Sequence, residues 1–289
     1  MNKRIIITDS ASDLPELEEK LGDIRVLPFK VAFGEETYLS RKDLSRQEFY
    51  EKLEAADKLP TTSQITPFEF EQLYTELFEQ GYEEAILVLI NAKGSATFSN
   101  AGQAVESFYE ECPEARGKLT IHTVDGRSYT SAYGFPVSQA AQMLKEGVST
   151  EEILLYLRDY MDRSIIYAGL YTLKYAGKSG RIPSAAAFVG DALGMKPIMR
   201  ICDGGITTGD KVRGEMKIIP FVVAKVKSEM EEGCPYCVVY GSDEALADEM
   251  AALATEKIGY PPAARYQIGE AIAINAGPRV VGLSTLRKK

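Results

Sequence analysis

Three short apolar runs, Lys3 to Thr8, Ala85 to Ile90 and Lys118 to Val124, each end in a polar loop that leads into a helical pattern. Strand, polar loop and helix in repetition specify a parallel sheet, because parallel neighbours need a crossover and the crossover helices cover both faces. Loops at the carboxyl ends of such strands are where open α/β sheets place ligands. Here they begin at Thr8-Asp9-Ser10, at Asn91-Ala92-Lys93-Gly94 and at Asp125-Gly126-Arg127-Ser128. After Arg163 the rhythm changes. A strand from Ile165 to Tyr171 leads into the glycine-rich stretch from Tyr175 to Ile182, and a small helix is predicted from Ala185 to Leu193. Asp203-Gly204-Gly205 reads as a hairpin turn, and Asn275 to Arg279 as a loop before the last strand. The predicted fold class is therefore α/β: an N-terminal parallel sheet flanked by helices (1–163), followed by a C-terminal α+β domain (164–289).

The stretch Thr61-Thr62-Ser63-Gln64-Ile65-Thr66-Pro67-Phe68-Glu69 packs hydroxyls into what reads as a turn just before a helix. Thr66 and Glu69 have the spacing of a capping box, and Pro67 falls at the first helical position, where its missing N–H costs nothing. The helix runs to Gln80 and stops at Gly81, with Phe70, Leu73, Tyr74 and Leu77 on one face. Ser45 with Glu48 and Ser149 with Glu152 open two further helices in the same way. Earlier in the chain, Gly22 is expected to close a helix from Pro15, and Gly34-Glu35-Glu36 to turn an extended segment back on itself. A second hydroxyl loop, Gly94-Ser95-Ala96-Thr97, follows the strand Ala85 to Ile90 and opens another helix. Two hydroxyl-bearing helix N-termini at one sheet edge suit a small acid held by hydroxyls and backbone N–H groups, without an obligatory Lys or Arg. Neither Thr62 nor Ser95 is read as the cap of its own helix.

Composition narrows the function. A net charge of −9 argues against nucleic acid, which needs a basic face to displace counterions. The chain opens with no recognisable signal peptide, and four cysteines without one indicate free thiols and a cytoplasmic protein. The single histidine, His122, excludes any metal site needing two imidazoles, and its strand setting reads as structural. Cys234-Pro235-Tyr236-Cys237 has redox spacing, but the helix precedes the first cysteine instead of following it. Gly177-Lys178-Ser179 resembles the end of a phosphate-binding loop, but Thr172 stands where that loop needs glycine.

Taken in order, Thr8-Asp9-Ser10 with Asp13-Leu14-Pro15, Thr62-Ser63-Gln64, Ser95-Ala96-Thr97-Phe98, Gly180-Arg181-Ile182 and Gly277-Pro278 resemble the DegV family over nearly the whole chain. The resemblance implies a bacterial two-domain carrier, not an enzyme, with no catalytic residues and no cofactor. It would hold a long-chain fatty acid such as palmitate between its domains and present it to the catalytic subunit of a fatty acid kinase, which makes acyl phosphate. By match to the family motifs, Thr62 and Ser95 would bind the carboxylate, with Ser63, Thr97 and Asn275 beside them. Arg181 would face the kinase. Transient contact with a membrane surface is a further expectation. The chain departs from the family at Asn91-Ala92-Lys93-Gly94, where a Ser-Ser pair is usual, at Ala96 and Ile65, and at Asn275 and Arg279, where histidine and glycine are usual.

A buried sixteen-carbon tail offers on the order of 12 kcal/mol gross, at about 0.8 kcal/mol per methylene. Phe29, Phe33, Phe188, Val189, Leu193 and Ile198 are candidates for lining a tunnel. The rival reading is an α/β enzyme acting on a small carboxylic or phosphorylated substrate, with Asp9 or Asp125 as base. A third is a ligand sensor uncoupled from any kinase.

Overall fold

The computed structural model describes residues 3–182 and 194–288. Strands β1 (Arg4–Asp9), β2 (Arg25–Leu27), β6 (Glu84–Leu89) and β7 (Thr120–Asp125) form a parallel sheet in the order β2-β1-β6-β7. Alternation along the strands divides its side chains between two layers. Ile5, Ile7, Ala85, Leu87 and Leu89 pack under helices α3 (Pro67–Glu79) and α4 (Thr97–Glu111), whereas Ile6, Ile86 and Val88 point to the other face, toward α5 (Ser131–Lys145). Both faces are covered, so the strands read as unbroken apolar runs.

Helix α6 (Thr150–Arg163) ends where β8 (Ser164–Leu170) begins, and there the chain passes to a second sheet. This sheet is mixed, in the order β10-β9-β8-β13-β11-β12, and comprises β9 (Met195–Cys202), β10 (Gly205–Arg213), β11 (Tyr236–Tyr240), β12 (Ala264–Gln267) and β13 (Val280–Leu286). Ile165, Tyr167, Ile198, Val238, Val281 and Leu283 join the same core as the α5 side of the first sheet. One apolar core therefore runs across the point where the two halves meet. The opposite face carries Ile166, Ala168, Met199, Ile201, Val239 and Val280. It is covered by α10 (Glu270–Ala276) and by parts of the first half, including α2 (Arg46–Ala55) and the small sheet β4-β3-β5, made of β3 (Lys30–Phe33), β4 (Glu36–Leu39) and β5 (Thr61–Ser63).

Local signals were followed closely. All three capping boxes form, at Ser45/Glu48, Thr66/Glu69 and Ser149/Glu152. The hairpin of β9 and β10 turns through Asp203 and Gly204, both at positive φ (52° and 71°), as a two-residue turn of the primed type requires. Other expectations need correction. Thr61-Thr62-Ser63 is a strand paired with β3, not a turn, because two β-branched residues sit beside an available edge. Gly22 lies inside α1 (Glu16–Gly22), and Asp23 takes the left-handed position that ends it (φ 55°). Asn275 belongs to α10 instead of a loop. The helix predicted from Ala185 to Leu193, with Phe188, Val189 and Leu193, falls outside the described residues.

The Thr66 hydroxyl accepts the Glu69 N–H at 3.3 Å, and a Glu69 carboxylate oxygen returns to the Thr66 N–H at 2.9 Å. Thr66→Ala is expected to cost about 1 kcal/mol of stability, read as a lowered urea midpoint at unchanged slope. An unchanged midpoint would show that tertiary packing alone holds the start of α3.

Candidate functional site

Between the second sheet and its cover lies a cavity holding ≈ 1000 Å³ of atom-free space, its open mouth included. Its wall is the apolar sheet face, with Ile166, Ala168, Met199, Ile201 and Val239, closed opposite by Ala271, Ile272 and Ala276 of α10. The polar lining consists of Thr62, Gln64, Ser95, Tyr129, Thr130, Arg181 and Asn275. These come from the carboxyl edge of the first sheet, the β5 edge, the glycine-arginine segment and α10. A mainly hydrocarbon lining with a few polar groups suits a ligand that is mostly apolar and carries some polar function.

The predicted residues separate clearly. Thr62 and Ser95 both line the cavity. Ser63 does not: it is the next residue on β5, so it points to the opposite side and is exposed. Thr97 is fully buried as the first residue of α4, and its hydroxyl oxygen lies 2.9 Å from that of Ser95. It orients Ser95 and does not line the cavity. Asn275 lines the cavity, but one of the two N–H groups of its side-chain amide donates to the Ala271 carbonyl one turn back, at 2.8 Å, and so stays within the helix. Arg181, expected to face a partner, is exposed and lines the cavity. A cation therefore does stand at the site, although the reading from the sequence required none.

The N-terminus of α3 cannot host an anion as the sequence suggested, since Glu69 already places its own carboxylate there. At α4 the N-cap position is Ala96, so Ser95 is not the cap, as expected; from the position before it, the Ser95 hydroxyl accepts the Thr97 N–H at 3.2 Å. Of the tunnel candidates, Phe29 lines the cavity, while Phe33 packs edge-on against Tyr38 and Phe49. Ile198 faces the opposite side of β9 from Met199 and belongs to the central core. Sequence reasoning missed Gln64, Tyr129 and Thr130. The signal for Tyr129 lay in Gly94, where an added Cβ would sit 2.3 Å from the Tyr129 hydroxyl oxygen. Only glycine lets the tyrosine approach that loop.

Neither candidate base reaches the cavity wall. Asp9 is buried and accepts from the Tyr133 hydroxyl (2.6 Å), the Ile90 N–H (2.7 Å) and the Ala11 N–H (3.0 Å). Burial pushes its pKa up to about 6 against these stabilising bonds. Asp125 accepts the N–H groups of Ala92 and Arg127. Both tie loops together at the sheet edge. His122 on β7 lies away from the cavity, and desolvation lowers its pKa. Burial likewise pushes the Cys237 thiol up, the opposite of an activated redox centre.

The closing helix is fastened by buried polar groups of the first half. Asp13 accepts the Gly269 N–H at 2.7 Å, Tyr50 donates to the Ile268 carbonyl at 2.7 Å, and Arg46 reaches Glu270 at 3.2 Å. Burial raises Asp13 to about 7 despite the Arg46 guanidinium beside it. The Thr130 hydroxyl is near enough to favour the ionised form, yet neither Thr130 Oγ1 nor Asp13 Oδ2 has a well-aligned partner.

A DegV family model, described as an uncharacterised protein of that family, matches residues 3–288. The chain belongs to the DegV family. A DegV domain-containing protein of Caldanaerobacter subterraneus subsp. tengcongensis is 30% identical to it, over 98% of each chain. Among solved structures, a fat acid (stearic acid)-binding protein from Eubacterium ventriosum superposes with a TM-score of 0.88 at 25% identity, covering 100% of this chain and 99% of that one. A DegV family protein from Thermus thermophilus, described for its fatty acid binding, gives a TM-score of 0.84 at 26% identity, covering 99% of this chain and 100% of that one. Within this DegV chain the α/β architecture read from the sequence stands: a four-stranded parallel sheet flanked by helices, then a mixed-sheet half.

Two outcomes follow. Ser95→Ala is expected to lose about 0.5–1.5 kcal/mol of stability, because the Thr97 N–H loses its acceptor; an unchanged melting temperature would show that this bond adds nothing to the fold. Asp13 and Asp9 hold protons more tightly folded than unfolded, so their contribution to stability falls as pH rises from about 4 through about 7. His122, with its lowered pKa, contributes in the opposite sense near its ordinary value, equally in wild type and variant. Asp13→Asn should therefore flatten the decline between about pH 5 and 8 relative to wild type, measured as urea midpoints across that range. A variant keeping the full wild-type slope would place the proton elsewhere.

Proposed function

We propose that this protein is a non-catalytic carrier of a long-chain fatty acid such as palmitate. The carboxylate is held at the polar region by the hydroxyls of Thr62 and Ser95, with Arg181 supplying charge. The loaded protein presents its acid to the catalytic subunit of a fatty acid kinase in the cytoplasm and touches membrane surfaces transiently. The observation that carries the reading is an apolar cavity, walled by residues from five strands of the second sheet, with a few polar groups from several different segments lining it. Structural relatives described as binding stearic and other fatty acids support it. The enzyme alternative loses ground because neither Asp9 nor Asp125 lines the cavity.

The energetics are consistent with a carrier. A sixteen-carbon tail gives on the order of 12 kcal/mol gross, against an association cost of roughly 4–15 kcal/mol, so the head group has only to orient the ligand and add modest affinity. Native mass spectrometry of protein expressed in bacteria should show an adduct of fatty-acid mass. Absence of the adduct together with turnover of a small acid would overturn the reading.

Head and tail contributions can be separated. Thr62→Val should lose about 1.5–3 kcal/mol, roughly ten- to a hundred-fold, for palmitate and little for hexadecanol, which brings no carboxylate. Arg181→Ala should behave in the same direction. Ala168→Phe, which fills the sheet-side wall, should weaken acid and alcohol alike. Equal losses for both ligands in Thr62→Val would make that residue structural.

A further inference from the structure

The helix that closes the cavity also borders a second space. Ala271, Ile272, Asn275 and Ala276 of α10 line the apolar cavity, whereas Glu270, its first residue, lines a charged cleft with Asp13, Arg41, Arg46 and Arg265. Counted in the same way as the cavity, this cleft holds ≈ 840 Å³. A glycine stands at each end of the helix. At Gly269 an added Cβ would collide with Arg46 Nη1, and at Gly277 (φ 88°) it would lie 2.7 Å from Tyr175 Cδ2. The seven residues between these joints can shift as one body, because glycine absorbs the backbone change at either end.

Asp13, 2% exposed, sits at the first joint. Its Oδ1 accepts the Gly269 N–H at 2.7 Å, while Oδ2 has no aligned donor among the described residues. Thr130 Oγ1, close to this carboxyl, lacks a partner as well. A proton on Oδ2 serves both atoms, because the carboxyl O–H donates to the hydroxyl oxygen. The charges favour the same state. Arg46 of α2 lies 3.2 Å from Glu270 and 3.9 Å from Asp13, and Glu270 also accepts the Arg41 N–H at 3.3 Å. Arg46 and Glu270 already balance, so an ionised Asp13 leaves two buried carboxylates on one guanidinium. The other titratable groups facing Asp13 are the phenols of Tyr50 on α2 and Tyr133 on α5, which burial pushes up and keeps protonated. An ionised Oδ2 needs a donor that the shut joint does not offer, and water from the charged cleft supplies one when the joint parts.

We propose that Asp13 and Gly269 form a proton-operated latch on the cavity cover: with a proton on Asp13 the helix stays shut, and loss of that proton frees α10 and speeds release of the ligand. The inference rests on the fatty-acid reading for the identity of the ligand, whereas the motion of α10 belongs to the chain alone. Burial holds the Asp13 carboxyl at about 7 in the shut joint, against an ordinary 3.8. The shut state therefore binds the proton more tightly, so opening grows as pH rises toward about 7 and levels off above it.

Amide hydrogen exchange of the full chain, corrected for the chemical effect of pH, reads the cover directly, with the core strand β8 as the reference for opening of the whole fold. Protection of α10 should fall roughly tenfold between about pH 6 and about pH 8 and then level off, while β8 stays far better protected. Transfer of palmitate and of hexadecanol from the protein to phosphatidylcholine vesicles should quicken over the same interval, the alcohol included, since it has no carboxylate of its own to titrate. Asp13→Asn keeps the acceptor for Gly269 and holds an N–H where the proton would sit, so its α10 should be well protected and its ligand release slow at both pH values. Tyr50→Phe, which loses only the bond to the Ile268 carbonyl, should release faster with the pH dependence kept. Flat protection in wild type, a full slope kept in Asp13→Asn, or a slope for palmitate alone would overturn the latch and leave the carrier reading intact. Equal protection of α10 and β8 would overturn it too, because the opening would then be global. If wild type binds neither ligand, the carrier reading fails, and amide exchange still decides for or against the latch.

Discussion

An apolar sheet face over which the described residues leave a cavity is the constraint on which the rest depends. Five strands of the second sheet send alternate residues into the common core, and the residues between them into a cavity. Leaving such a surface against an incompletely filled space forfeits dispersion contacts and apolar burial that a packed core would gain. The fold tolerates it because the same strands are anchored on their other face by a core continuous with the first sheet. On the carrier reading proposed above, the hydrocarbon of the acid supplies the missing contacts.

That arrangement explains why the cover is held by polar groups. An apolar lid over an apolar wall would gain most by collapsing onto it. Here the short closing helix is positioned by the Asp13, Tyr50 and Arg46 contacts at its N-terminal end, where the backbone N–H of Gly269 needs an acceptor. These bonds are directional, so they set the spacing between helix and sheet. Their cost is visible in Asp13, a carboxyl raised to about 7 by burial.

At the polar end, a second buried side chain does comparable work. Asn91 links the loop after β6 to Tyr129 and to the turn between β9 and β10, joining the two sheets beside the cavity. Ser95 and Lys93 leave this one loop toward different spaces: the hydroxyl lines the apolar cavity, and the lysine lines a neighbouring polar cleft with Tyr129, Arg181 and Gly204. Thr62, from an edge strand that pairs with β3 rather than from a turn, completes the set.

Much of this was legible in order along the chain. Capping boxes, the stop at Gly81 and the helix face of Phe70, Leu73, Tyr74 and Leu77 depend on neighbours within one turn, so spacing alone determines them. The parallel sheet follows from strand–loop–helix repetition, and the family from motifs in sequence. What only the tertiary structure decided is which way alternate side chains face. Ile198 and Met199 are both apolar, and nothing local says that one enters the core and the other a cavity. Thr62 and Ser63 carry the same chemistry, and pairing with β3 turned one toward the cavity and the other to solvent. The approach of Arg181 and Tyr129 to Ser95 joins residues from three separate segments. Local rules specify what each segment becomes, and the long-range packing of both sheets specifies what each residue meets.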